Sequence, residues 1–220
     1  MKNTSGMTMV AKVFLAVPCY GDSNWEVFAG VSNASAVHDV DTKVKICSLL
    51  CYNFNMLWAE ALNGDFDYFA MCHSDVAAEN GWLDKLIYLL TSNNLDLLSA
   101  VIPIKDNRKL TSTGIIDEEL QVRVLSIEDV VGLPPVFTRD NFAYGYLAVN
   151  TGLWVCDLQN KVFSGVCFET VDSILLTDEG LYKAVNIPED WFFSYKLAKL
   201  GARVGATSAI SLAHYGRGKW

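Results

Sequence analysis

Apolar residues fill positions 13–17 and are stopped by Pro18 and Gly21, a pattern that predicts a buried strand opening into a loop. After a less regular segment at 25–37, the stretch NFNMLWAEAL at 53–62 places Phe54, Leu57, Trp58 and Ala61 at helical spacing. YFAMC at 68–72 predicts a second buried strand. Asn80 then stands where a side-chain oxygen can cap a helix carrying Leu83, Leu86, Ile87 and Leu90 on one stripe. A third apolar run occupies 97–104. Strand, helix and strand joined by short loops predict a mostly parallel sheet covered by helices, at least through the first hundred residues.

The second half reads differently. GYLAVNTGLWVCDL looks like a strand pair interrupted by Asn150-Thr151-Gly152, KVFSGVCF like a further strand, 188–200 like a helix begun by Pro188, and 209–213 like a last short strand. No internal repeat or flexible linker divides the chain, so its 220 residues are expected to share one core as a single α/β domain, with a smaller mixed β region in the C-terminal half.

Composition narrows the function classes. The chain is 51% apolar and 12% aromatic, enough to build a core unaided. Its net charge of -8 repels polyanions, which argues against an extended nucleic-acid footprint. No apolar run is long enough to span a membrane, and the run at 13–19 is too short for a signal peptide and lacks a cleavage site. Six cysteines without a CxxC pair lie mostly in apolar runs, which predicts reduced core thiols and a cytoplasmic protein.

Ligands of open α/β sheets bind outside the carboxyl ends of the strands, and His73-Ser74-Asp75 directly follows one of them. Asp75 offers the hard oxygen that a divalent cation on a diphosphate needs, although an ordinary turn would use Ser74 and Asp75 equally well. His214 ends the last apolar run, ahead of a basic, glycine-rich tail whose Arg217 and Lys219 suit a phosphate clamp or are a ragged terminus. Glu189 and Asp190 follow Pro188 at a helix start, where carboxylates favour the positive end of the helix dipole; Asp190 can alternatively act as a general base, supported by Glu189. Asn150 and Thr151 suit sugar hydroxyls, and Gly152 suits a close backbone approach or a plain hairpin turn.

The order of VFLAVPCYGD, FNMLWAEAL, DYFAMCHSD, VNTGLWVCDL, PEDWFFSYKLAKLG and LAHYG resembles the A-type (GT-A fold) glycosyltransferases of bacterial or phage type. The resemblance implies a Rossmann-like domain with a nucleotide-binding half at 12–105, an acceptor and sugar half at 106–214 and a mobile tail at 215–220. It also implies transfer of a sugar from a nucleotide diphosphate sugar, with uracil as the expected base, to a glycan, protein or modified nucleobase. In such enzymes the triplet is Asp-x-Asp and its last aspartate binds Mn2+ or Mg2+, which maps onto Asp75. His214 corresponds to a second metal ligand, and His73 departs from the pattern and leaves the choice of metal open. Pro18, Tyr20 and Asn55 correspond to nucleoside contacts, and Glu189 and Asp190 to the carboxylates that activate the acceptor in inverting members. Retaining members carry acidic residues there as well, so the stereochemistry stays open. Rival readings are a nucleotidyltransferase, which commonly shows a basic glycine-rich loop that VPCYGDSNWE lacks, and a catalytically inactive sugar-nucleotide or glycan-binding protein.

Overall fold

The structure, a computed structural model, describes residues 10–19 and 25–216. Its centre is a seven-stranded sheet in the order β2 (Asp39–Ile46), β1 (Lys12–Cys19), β3 (Tyr68–Cys72), β10 (Leu153–Asp157), β5 (Leu97–Ala100), β13 (Val204–Thr207), β8 (Val136–Thr138). β1 runs parallel to both β2 and β3, and β13 runs parallel to β5. β10 lies antiparallel between β3 and β5, and β8 is an antiparallel edge.

Alternation along the strands separates two apolar layers. Phe14, Ala16, Phe69, Met71, Trp154 and Cys156 face the layer that receives α2 (Leu50–Leu62) and α5 (Glu189–Lys199). Val13, Leu15, Ala70, Cys72, Leu153 and Val155 face the opposite layer, filled by Trp82, Leu83, Leu86 and Leu90 of α3 (Trp82–Ser92). Both layers draw side chains from each half of the sequence. The first is dominated by aromatics: Phe168 stacks on Phe193 with centroids 4.1 Å apart, and the Trp58 ring meets Phe69 and Phe193 edge-on. This packing fixes the N-termini of α2 and α5 on the same side of the sheet.

Smaller units surround this centre. α1 (Trp25–Ser32) packs near β4 (Val76–Ala78), which pairs with β14 (Leu212–His214). β6 (Leu110–Ile116) pairs with β7 (Val122–Ser126) and β9 (Tyr146–Ala148), and a capping box at Ser126 starts α4 (Ile127–Val131). β11 (Val171–Leu176) and β12 (Tyr182–Ile187) form a separate hairpin.

Several expectations need correction. The run GYLAVNTGLWVCDL is not a strand pair: β9 joins β6, whereas β10 enters the central sheet, because Leu153–Asp157 is buried on both faces. The cap of α3 is Gly81 rather than Asn80; its φ of 71° lies in the left-handed region that favours glycine, and its N–H donates to Asn33 O at 2.8 Å. Pro188 is the cap of α5, with Glu189 the first helical residue. The expected strand at 209–213 is replaced by β13 and β14 on either side of a bend. Cys19, Cys72 and Cys156 are buried as expected, but Cys167 is exposed.

Candidate functional site

A cavity of about 260 Å³ opens at the carboxyl ends of β1 and β3. Pro18 and Cys19 form one wall, Leu50, Asn53 and Phe54 from the first turns of α2 form another, and His73, Ser74 and Asp75 form the third. The N-cap residue of α2, Leu49, makes no side-chain capping bond, and the helix start sets the positive end of its dipole beside this space. A larger cavity of about 750 Å³ between α1 and β2 shares, among the described residues, only Cys19 with it and is walled mainly by aliphatic side chains.

Among the described residues, three buried polar atoms on the smaller cavity find no hydrogen-bond partner: Asn53 Oδ1, His73 Nε2 and Asp75 Oδ1. Buried polar atoms are normally paired, because leaving one unmade costs about 1–3 kcal/mol. The orientation of Asn53 is fixed, since its Nδ2 donates to Lys45 O at 3.0 Å and a flipped amide would set oxygen against oxygen. Its carbonyl is therefore an acceptor awaiting an N–H or O–H.

The electrostatics centre on Asp75. Burial works against its charge, but the His214 imidazole and the Lys105 ammonium more than offset this, helped by His73, and hold its carboxyl well below the usual carboxylate range. Burial pushes the His73 imidazole down to about 4, with the Asp75 charge opposing and the His214 and Lys105 charges adding to the fall. His73 is therefore neutral near pH 7, and its ring lies 5.0 Å from that of Phe54. His214 Nδ1 lies 2.8 Å from Pro103 O. A carbonyl only accepts, so Nδ1 carries the proton, and the other nitrogen, Nε2, faces Asp75 Oδ2 at 3.8 Å. β14 makes this meeting possible: it sets His214 opposite Val76, and Tyr215 N donates to Asp75 O at 2.7 Å. An imidazole nitrogen held by a carbonyl behind it and facing a carboxylate suits a divalent cation whose other positions are taken by diphosphate oxygens. Among the described residues, however, no three His, Cys, Asp or Glu side chains form a metal-holding group. The expected three-residue set with His73 is thus not assembled; Asp75 and His214 are the pair brought together.

The remaining expected residues fall in three places. Asn150, Thr151 and Gly152 form a turn that props up the triplet, because Gly152 O accepts from His73 N at 2.8 Å and Asn150 Oδ1 accepts from Gly152 N. The Thr151 side chain is buried with its hydroxyl unpaired. A Cβ on Gly152 would meet Asn150 Oδ1 at 2.6 Å and Ile102 Cδ1 at 2.9 Å, so a larger residue here would have to push both side chains aside. Asn55 does not line the cavity; its amide grips Phe168 at both ends, Nδ2 donating to Phe168 O at 2.7 Å and Oδ1 accepting from Phe168 N at 2.8 Å. Asn53, two positions earlier, lines it instead. Tyr20, Arg217 and Lys219 lie outside the described residues.

Glu189 and Asp190 sit in the first turn of α5. Ser194 Oγ accepts from Val149 N at 3.1 Å and donates to Asp190 O at 2.7 Å, which ties this turn to the segment just before Asn150. Asp190 is buried, and its Oδ1 accepts from Trp191 N at 2.8 Å. Burial, then the Glu189 charge, push its carboxyl up to about 8. Burial also raises Glu189, which lies close enough to Cys51, at the start of α2, to act on its thiol.

Lys105 and Asn53 were not foreseen from the sequence. Lys105 closely follows the apolar run at 97–104, as His73 follows the run at 68–72, and Asn53 sits four residues before Leu57 on the buried stripe of α2. Both signals were present.

No protein-family model matches the sequence, and no curated protein matches it. Solved structures do share its fold. A197 from STIV aligns over 93% of this chain and 86% of its own, with a TM-score of 0.56 at 10% identity. GalNAc-T7, solved with UDP, GalNAc and Mn2+, aligns over 94% of this chain with the same TM-score and identity. This chain spans 44% of the GalNAc-T7 chain. The mixed α/β architecture with a seven-stranded, mostly parallel sheet is consistent with a GT-A-like domain. No helix among the described residues is long and apolar enough to cross a membrane.

Proposed function

We propose that this chain is a glycosyltransferase that takes a sugar from a nucleoside diphosphate carrier, binds the carrier at the cavity between Pro18, Asn53 and Asp75, and delivers the sugar to an acceptor hydroxyl. The observation that carries this reading is the convergence of Asn53 Oδ1, His73 Nε2 and Asp75 Oδ1, all buried and unpaired among the described residues, on one cavity at the carboxyl ends of two parallel strands. The fold shared with GalNAc-T7 supports it.

In this reading Asn53 Oδ1 accepts a hydrogen bond from the nucleoside, with uracil as the favoured base. The N-terminal end of α2, with the positive end of its dipole, and the Lys105 ammonium draw the diphosphate. Asp75 and His214 would hold Mn2+ or Mg2+, which would neutralise the charge that develops on the departing diphosphate. Asp190 takes the proton from the acceptor hydroxyl at its carboxylate. A base raised to about 8 lies close to neutral pH, where general base catalysis is most effective. Ser194 and Val149 hold its backbone in place, and Glu189 keeps its basicity high.

The test is a panel of nucleotide sugars with Mn2+, read as release of nucleoside diphosphate. Release with at least one donor is expected, and Asp190→Asn should lower transfer to an acceptor by about a hundredfold. A panel in which no nucleotide sugar is bound or turned over contradicts the proposal.

A further inference from the structure

Resting on the proposed metal-assisted reading, we infer that Lys105 is a built-in competitor for the divalent cation: its ammonium is paired with the Asp75 oxygen that faces His214 and that the metal must take. The Lys105 Nζ contacts Asp75 Oδ2, and His214 Nε2 faces that same oxygen at 3.8 Å. An ion joining these two ligands through Oδ2 therefore meets an oxygen already paired with the ammonium. The carboxylate's other oxygen, Oδ1, is buried and unpaired among the described residues. Binding a metal there while the ammonium stays would set two cations against one carboxylate in a partly desolvated site, where their repulsion is poorly screened.

The lysine is held in position rather than sampling solvent freely. Its alkyl stem lies against the backbone after β14, close enough that a Cβ on Gly216 would meet Lys105 Cδ at 2.9 Å, and its side chain keeps only 32% of its exposure. Metal alone must therefore displace an ion pair that is already made. A nucleoside diphosphate changes the balance by giving the displaced ammonium an anion to pair with. Metal and diphosphate are consequently expected to favour each other's binding, with Lys105 carrying the coupling.

The test measures Mn2+ binding to nucleotide-free protein by the electron paramagnetic resonance signal of free Mn2+, in wild type, Lys105→Met, Lys105→Gln and Lys105→Arg. Removing the charge in Lys105→Met or Lys105→Gln should tighten Mn2+ binding by at least about tenfold, and Lys105→Arg should stay within about threefold of wild type. Adding uridine diphosphate should tighten Mn2+ binding to wild type more than to Lys105→Met. The Gln variant, which keeps a polar end, guards against a folding defect in the Met variant, and thermal denaturation of each checks integrity. Equal Mn2+ affinity in wild type and both neutral variants overturns the competition while leaving the metal site standing. If no protein binds Mn2+, with or without uridine diphosphate, the competition and the metal-assisted reading fall together.

Discussion

Asp190→Asn removes a carboxyl that burial holds at about 8 against an ordinary value of 3.8. Between those values the folded chain keeps a proton that the unfolded chain releases, so stability falls as pH rises through the window and the loss is complete above about 8. One proton limits the slope to about 1.4 kcal/mol per pH unit. From pH 5.5 to 7.5, Asp190 should therefore cost wild type about 2–3 kcal/mol, which asparagine does not. For a domain of this size that is a change of roughly 4–12 °C in the difference between the two Tm values. His73, pushed down to about 4, works in the opposite direction below its ordinary 6.5, and Glu189, raised by burial, works in the same direction as Asp190. Both remain in the variant, so subtracting the two denaturation curves leaves Asp190 together with its coupling to Glu189. Urea unfolding at pH 5.5, 6.5 and 7.5 supplies the measurement. A stability difference that does not change with pH would show that Asp190 titrates normally, and its case as a base poised near neutrality would be lost.

Asn55→Ala should destabilise the fold by about 2 kcal/mol, because the Phe168 N–H and carbonyl both lose their partner, while leaving nucleotide affinity nearly unchanged; urea unfolding and nucleotide titration read the two effects separately. Gly152→Ala should cost about 1–3 kcal/mol in urea unfolding, since the new Cβ meets Asn150 Oδ1 and Ile102 Cδ1 inside contact distance. Phe193→Ala should cost about 3–5 kcal/mol by the same assay through loss of its stack on Phe168 and of its contact with Trp58.

The strands legible in the sequence were those buried on both faces, β1 and β3, whose apolar runs need no partner to be recognised. β2 went unread although Val40, Thr42, Val44 and Ile46 alternate with polar residues; an edge strand exposed along much of its length gives only a weak period-two signal. The antiparallel entry of β10 between β3 and β5 could not be read locally, because it depends on pairings across more than fifty residues. At the site, His73, Asp75 and His214 stood out as polar residues at the ends of apolar runs, and the fold brings Asp75 and His214 together. Helical phase separates the two asparagines of α2: Asn53 lies on the stripe of Phe54, Leu57 and Trp58, and Asn55, the residue the resemblance implied, points to the loop at Phe168. Lys105 follows a strand end by the same logic as His73, but a lone lysine in a loop reads as solvated until the fold lays it against Gly216 and Asp75.

Calorimetric titration of uridine diphosphate into wild type and Asp75→Ala, each with Mn2+ and with chelator, tests the central claim most directly. The account predicts binding to wild type that weakens by at least about tenfold when Mn2+ is chelated, and the same loss in Asp75→Ala with Mn2+ present. Equal affinity in all four titrations would contradict a metal-assisted diphosphate site at Asp75.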